Sequence, residues 1–182
     1  MILIVDMNFK KDSLGIFEFV LPIVSIVEEL DEFEVKHFSE ISLQEISHCD
    51  EIILSGTALQ DHATLRQPKK FEWIRNCPKP ILGICAGMQT IGVVFGLPLN
   101  SCVEIGIAQI STLKNNPLFS SKFDAYELHN YSLPASADFD VLAKSKVCVQ
   151  AVKHKQKNIY GVLFHPEVRN KEILQHFTLL KG

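Results

Sequence analysis

Residues 80–89 read PILGICAGMQ and are the most informative part of the chain for its fold. A short apolar run that predicts a buried strand leads into Cys85, and a helical pattern follows it. Glycines two residues before and two residues after Cys85 suit a sharp strand-to-helix turn, where side chains would crowd. The stretch therefore predicts a nucleophile elbow of G-x-C-x-G form, although a buried cysteine between two packing glycines also fits these residues.

Such an elbow would place Cys85 where its chemistry is favoured. The turn holds the sulfur at the carboxyl edge of the sheet, and the N terminus of the following helix stabilises a thiolate. The N–H of Ala86 is expected to help bind an oxyanion there.

Short apolar runs alternate with helical patterns on both sides of the elbow. In the first half, strands are predicted at 1–6, 33–38, 51–54 and 80–84, and helices at 14–30, 43–48, 69–76 and 86–95. This order predicts an α/β fold with a mainly parallel, open, flavodoxin-like sheet and helices on both faces. The second half predicts antiparallel additions to the sheet and a closing helix, with strands at 102–112, 125–128, 141–143, 147–154 and 158–164 and the helix at 171–180.

The composition predicts one globular domain over residues 1–182, with 47% hydrophobic and 21% charged residues. A net charge of −3 without a basic block argues against a nucleic-acid partner. No apolar stretch approaches the roughly 20 residues of a membrane helix, and no signal peptide is predicted. The odd number of cysteines, five, favours reduced thiols in a cytoplasmic protein over a disulfide framework.

A second informative stretch, residues 160–167, reads YGVLFHPE. A strand is predicted to end at His165, and the proline after it keeps this histidine extended. Residues i and i+2 of an extended chain project to the same side, so Glu167 can orient the ring of His165 while the other ring nitrogen faces the thiol. A surface turn with incidental charges is the alternative for these residues alone. Both stretches end parallel strands, however, and open α/β sheets bind ligands at the carboxyl ends of their strands.

With these two stretches, the whole chain resembles the class I, triad-type glutamine amidotransferases. That family carries G-x-C-x-G followed by a glutamine, and later an FHPE run, as at residues 83–89 and 164–167 here. The resemblance implies that Cys85 attacks the side-chain amide of glutamine, that His165 passes a proton to the leaving ammonia and that Glu167 holds His165. Water would then release glutamate from the thioester.

The resemblance extends to further positions. It implies a second oxyanion donor at the backbone of Gly56, although the run SGTA at residues 55–58 departs from the family's usual loop, which has more glycine or a proline. Gln89 would contact the amino-acid end of the substrate, and the backbone of Asn130 and Tyr131 would bind the substrate. His129 fits either this substrate loop or an ordinary core, and Glu104 belongs to an E-x-G element with a structural role.

The resemblance also implies a partner. No synthetase domain is apparent in the chain, so ammonia is expected to pass to a separate synthetase subunit, with GMP synthase favoured over the anthranilate, histidine and pyridoxal pathways. The chain shows no phosphate-binding glycine loop, and neither a cofactor nor a metal is predicted. Two alternatives stay open: a free-standing cysteine hydrolase, such as a γ-glutamyl hydrolase or peptidase, and a non-enzymatic interaction module with the same fold.

Overall fold

One mixed sheet organises the computed structural model, which describes residues 1–180. Among these residues the sheet has nine strands: β1 (Ile2–Asp6), β2 (Phe33–His37), β3 (Glu51–Leu54), β4 (Ile81–Ile84), β5 (Asn100–Thr112), β6 (Lys122–Ser132), β7 (Phe139–Lys144), β8 (Val149–His154) and β9 (Ile159–Val162). The α-helices are α1 (Gly15–Phe19), α2 (Leu21–Val27), α3 (Leu43–His48), α4 (Ala86–Val94) and α5 (Glu172–Phe177). Two 3₁₀ helices cover Phe38–Glu40 and Pro68–Asn76.

The strands follow the order β2-β1-β3-β4-β9-β8-β7-β5-β6. The first five strands in this order run parallel, in the arrangement of flavodoxin-like sheets. The remaining four join as antiparallel neighbours. Both parts of the fold prediction, the parallel sheet and the antiparallel additions of the second half, are confirmed.

The four inner parallel strands, β1, β3, β4 and β9, are buried on both faces because alternate residues enter two separate cores. Ile2 and Ile4 of β1 face the core that contains α2 and α5. Leu3 and Val5 of the same strand face the core that contains α3, α4 and the longer 3₁₀ helix. This explains why the strand sequence is continuously apolar rather than alternating.

Most predicted elements differ from the structure by a few residues at their ends, and three of them differ more. The helical pattern at 14–30 is divided into α1 and α2, and Pro22 lies in the first turn of α2, where its missing N–H is tolerated. The segment predicted as a helix at 69–76 is a 3₁₀ helix, Pro68–Asn76. The strand predicted at 125–128 is longer because residues on either side of it also pair with β5. Within residues 1–180, no helix combines the length and apolar character that crossing a bilayer requires.

Candidate active site

Cys85 occupies a sharp turn between β4 and α4. Its backbone has φ 47° and ψ −101°, a conformation that non-glycine residues rarely adopt and that is common at functional sites. The N–H of Cys85 donates to the carbonyl of Val162 in β9, at 2.8 Å, which ties the turn to the neighbouring strand. A Cβ on Gly83 would lie 2.5 Å from the carbonyl carbon of Gly87, so the close approach of strand and helix requires glycine.

Gly87→Ala tests the packing of the elbow. The added Cβ would lie 2.6 Å from the carbonyl oxygen of Leu54, a backbone atom that cannot move away cheaply. We expect a loss of roughly 1–3 kcal/mol of unfolding free energy, typical of overpacking, measured by urea denaturation. Gly161→Ala is the matched control, because its Cβ would meet the flexible side chain of Met88 at 2.7 Å and should cost less. An equal or smaller loss for Gly87→Ala would contradict the packing argument.

His165 and Glu167 form a buried pair just beyond the end of β9. The Nδ1–H of His165 donates to Oε1 of Glu167 at 2.7 Å, the contact that their i, i+2 spacing predicts. The backbone N–H of His165 donates to the carbonyl of Tyr126 at 2.9 Å, and the side chains of Phe19 and Tyr126 pack around the ring. The ring is therefore fixed by one carboxylate and two aromatic neighbours, and the backbone of the residue is held by one carbonyl.

The surroundings of His165 favour its protonated form. Burial is the largest influence and lowers the pKa, but it is outweighed by the charge of Glu167, the interaction with Cys85 and the hydrogen bond to Glu167. Together they raise the pKa of His165 well above its ordinary value. The Nε2 atom of the ring makes no hydrogen bond of good geometry and remains available on the side of the ring that interacts with Cys85.

Two backbone segments lie beside the Cys85–His165 pair, one after Cys85 and one against the His165 ring. Ala86 is the first residue of α4, so its N–H has no partner within the helix. Gly56 follows the end of β3, and a Cβ there would lie 2.6 Å from Cε1 of His165. The loop after β3 thus passes directly against the histidine ring. The structure brings both predicted oxyanion donors to the edge of the sheet that carries Cys85.

The predicted substrate residues hold the other wall of the site together. The amide of Gln89 donates to the carbonyl of Tyr131 at 3.0 Å, and the amide of Asn130 donates to the carbonyl of Leu59 at 3.1 Å. The Cys85 thiol lies 3.5 Å from the carbonyl of Leu128. The contacts link α4, β6 and the loop after β3 into one enclosure around the sulfur.

Comparison with known proteins identifies the family of the chain. The family model for glutamine amidotransferase class-I matches residues 19–178. The chain belongs to the class I glutamine amidotransferases. The glutamine-hydrolysing GMP synthase subunit of Methanosphaera stadtmanae is 33% identical to this amidotransferase, over 91% of this chain and 85% of that protein. The equivalent subunit of Methanocaldococcus jannaschii is 37% identical, over 59% of this chain and 63% of its own length.

Solved structures agree with the sequence comparisons. A Thermoplasma acidophilum protein described as a GMP synthase subunit superimposes on the amidotransferase with a TM-score of 0.81 at 26% identity, over 97% of this chain and 92% of that one. A glutamine amidotransferase of Thermotoga maritima shares the fold, with a TM-score of 0.70 at 18% identity, over 94% of this chain and 78% of that one. As a member of this family the chain is a glutamine-hydrolysing enzyme.

The predicted site of the amidotransferase is narrow in this structure. The cavity beside Cys85 and Gln89 measures about 10 Å³. A cavity of this size holds about one water molecule. A cavity of about 760 Å³ lies next to it and shares Ala58, Asp61 and His62 with it. The loop that carries these three residues is the segment that separates the two cavities.

Three contacts of the site escaped the sequence analysis. The carbonyl of Tyr126 anchors the backbone of His165, the carbonyl of Leu128 contacts Cys85 and the ring of Phe19 packs on His165. Two of the three are backbone carbonyls, and a backbone carbonyl leaves no signal in the residue type. In the sequence, Phe19 is only one apolar residue of a helical pattern, and nothing marks it as a neighbour of His165.

Proposed function

We propose that this amidotransferase is the glutaminase subunit of a two-subunit synthase, and that the synthase makes GMP. The observation that carries the catalytic part is the buried His165–Glu167 pair, whose ring interacts with the thiol of Cys85 at the elbow. The acceptor is inferred from the similarity to the Methanosphaera stadtmanae protein, 85% of which the match covers. We further propose that residues 1–182 form a single amidotransferase domain and that the reaction takes place in the cytoplasm, where Cys85 stays reduced.

The first half of the proposed reaction forms a thioester and releases ammonia. The Cys85 thiolate attacks the side-chain amide carbon of glutamine, and the oxyanion that forms is bound by the N–H groups of Gly56 and Ala86. The Nε2 proton of His165 passes to the departing nitrogen, and the carbon–nitrogen bond breaks. The products are a glutamyl thioester on Cys85, neutral His165 and one molecule of ammonia.

The second half releases glutamate and restores the enzyme. Water attacks the thioester carbon while His165 takes one of its protons, and the same two N–H groups bind the second oxyanion. Collapse of this intermediate breaks the carbon–sulfur bond and returns the thiolate of Cys85 and the protonated ring of His165. Glu167 keeps Nδ1 protonated throughout, so that Nε2 alone exchanges protons with the substrate.

The same wall that narrows the site is proposed to bind the substrate. Gln89 and the backbone of Asn130 and Tyr131 surround the position of the amino-acid end of glutamine. In this structure, the Asn130 and Gln89 amides bond instead to protein carbonyls. We propose that glutamine enters when the Leu59 segment separates from Asn130, which is a step that a docked partner can control.

We expect the isolated subunit to be poorly active and the synthetase subunit to activate it. A partner that favours an open loop with a correctly aimed Gly56 N–H should raise turnover by about 10²–10³-fold, the usual effect of one oxyanion donor. Glutamate formation is measured while a candidate GMP-forming synthetase subunit is titrated in. The Cys85→Ala variant with the same synthetase serves as the control for glutaminase activity brought in by the partner.

A titration in which the synthetase subunit does not change glutaminase activity would contradict the proposal. If full glutaminase activity is present without any partner, and a partner that demonstrably binds leaves it unchanged, the two-subunit proposal fails. The enzyme would then be a free-standing cysteine hydrolase of the same fold. If activation occurs with a different synthetase, the catalytic part of the proposal stands and GMP synthesis as the acceptor reaction is wrong.

A further inference from the structure

The proposed reaction gives no role to the side chain of His129, which lies on β6 within the wall of the site. This side chain is fully buried, and the residue borders the cavity beside Cys85. The carbonyl of Leu128, just before it, contacts the Cys85 thiol, and the amide of Asn130, just after it, bonds to the loop after β3. Successive side chains of a strand point to opposite faces, so the His129 ring points away from the face that the Leu128 and Asn130 side chains share.

The pairing of β5 with β6 is irregular beside His129. Between the pair Glu104–His129 and the pair Ser101–Tyr131, β5 has two residues and β6 has one. One extra residue in one strand is a β-bulge, which bends the strand and is common beside active sites, where it re-aims a side chain. The single residue opposite the bulge is Asn130. The bulge therefore lies where it sets the direction of Asn130.

The His129 ring bonds to the bulge itself. Its Nδ1 lies 3.1 Å from the carbonyl oxygen of Cys102, one of the two bulged residues. A carbonyl only accepts hydrogen bonds, so the proton of this bond is on Nδ1. A bulge interrupts the ladder of backbone hydrogen bonds, and a buried backbone group without a partner is costly. The ring therefore supplies a side-chain bond where the ladder is interrupted, and it ties the bulge to β6.

Two carboxylates keep the His129 ring in this orientation. Its Nε2 lies 3.2 Å from Oε2 of Glu127 and 3.5 Å from Oε2 of Glu104. Glu104 is in turn held by the β7–β8 hairpin, because its Oε2 accepts from the Oγ of Ser145 at 2.9 Å and from the amide of Gln150 at 2.8 Å. The contacts on the Nε2 side of the ring thus direct the Nδ1 side at the bulge.

We propose that His129 is a positioning residue for glutamine binding, and that it acts by holding the β5 bulge through its Nδ1–H. With the bulge held, the backbone of Asn130 and Tyr131 lies where the proposed function, on which this inference rests, places the amino-acid end of glutamine. A one-residue change of register would turn the side chains beyond the bulge to the opposite face of the sheet. His129 does not touch the substrate, and its effect passes through the two residues that follow it.

Replacing His129 with asparagine or with glutamine separates the roles of the two ring nitrogens. The amide nitrogen of an asparagine can take the position of Nδ1, whereas the amide nitrogen of a glutamine reaches the position of Nε2. His129→Asn therefore keeps the bond to the Cys102 carbonyl, and His129→Gln keeps only a donor to the carboxylates. Both variants lose the aromatic ring, so loss of the ring alone does not distinguish them.

Glutamate formation is measured for both variants over a range of glutamine concentrations, with the synthetase subunit present. We expect His129→Gln to raise the KM for glutamine by about 10- to 100-fold and to change kcat by less than about 3-fold, because the misplaced groups bind the substrate away from the reacting atoms. His129→Asn should restore most of the KM of the unmodified chain. Backbone amide hydrogen exchange over residues 128–131 should be faster in His129→Gln than in His129→Asn.

His176→Gln is the matched control, because Nδ1 of His176 makes the same kind of bond on α5, at 2.8 Å from the carbonyl of Leu118. This variant should leave the KM for glutamine unchanged even where it lowers stability. The inference is overturned if His129→Asn and His129→Gln have the same KM, if the whole loss in His129→Gln is in kcat, or if His176→Gln raises KM equally.

Hydrogen exchange separates a failure of this inference from a failure of the proposed function. If the unmodified chain forms no glutamate with a synthetase that binds it, the proposed function fails. Exchange at residues 128–131 does not depend on glutamine hydrolysis, so it still reports whether His129 holds the bulge. Equal exchange in His129→Asn and His129→Gln would overturn the positioning role whatever the activity.

Discussion

Replacing Cys85 with alanine is expected to lower glutamine hydrolysis by about 10⁶-fold, the loss measured when the nucleophile of a hydrolase triad is removed. The thiol provides the only nucleophile at the elbow, and its removal leaves the oxyanion donors and the substrate pocket without a group to form the thioester. The variant should still fold, because its backbone strain at φ 47° is held by the same hydrogen bond to Val162. Glutamate formation in the presence of the synthetase subunit is the measurement.

Chemical labelling gives an independent check on the same residue. An electrophilic glutamine analogue should modify Cys85 and spare the other cysteines, as read by peptide mass mapping. Burial raises the pKa of the Cys49 thiol to about 11 and also raises the pKa of Cys77, so neither forms a reactive thiolate readily. Cys49→Ala and Cys77→Ala are therefore the matched controls. Labelling centred on another cysteine, or near-native turnover by Cys85→Ala, would remove Cys85 as the nucleophile.

The parallel half of the fold could be predicted because the local sequence patterns of its strands and helices agree with the way these elements pack in the sheet. Each short apolar run becomes a strand, and the helix predicted at 43–48 appears with the same bounds, Leu43–His48, where a Ser42–Glu45 capping box begins it. The elbow at Cys85 was predictable for the same reason, since the sharp turn requires glycine at Gly83 and Gly87. Where the sequence pattern and the packing impose the same requirement on a residue, the local structure can be predicted from the sequence alone.

The antiparallel half was predictable only in outline. The length of β6 depends on its pairing with β5, and this pairing is set by the three-dimensional register rather than by the alternation within either strand. The loop around Gly56 carries no local pattern that determines its path against His165. The proximity of Cys102 and Cys148 could not be predicted, because β5 and the β7–β8 hairpin bring together two cysteines that are distant in sequence. Contacts of this kind are properties of the fold.

His165→Ala is expected to reduce turnover by about 10²–10⁴-fold through loss of general acid–base catalysis. Glu167→Gln should cost less, because a glutamine can still accept the Nδ1–H bond while losing the charge. The double variant should lose little more than His165→Ala alone, since members of a triad act as a unit. Initial rates of glutamate formation, measured with the synthetase subunit present, test all three variants. Near-native turnover by His165→Ala would refute the triad.

The pH dependence of Glu167→Gln distinguishes an electrostatic role from a purely structural one. Glu167 raises the pKa of His165, so removal of its charge lets that pKa fall. If the protonated ring supplies the proton to ammonia, activity is lost as pH rises through the pKa of His165. The alkaline limb of kcat/KM should therefore move to lower pH in Glu167→Gln, and should stay in place in Glu172→Gln, which alters an exposed carboxylate on α5. An unchanged limb in Glu167→Gln would mean that Glu167 only packs against His165.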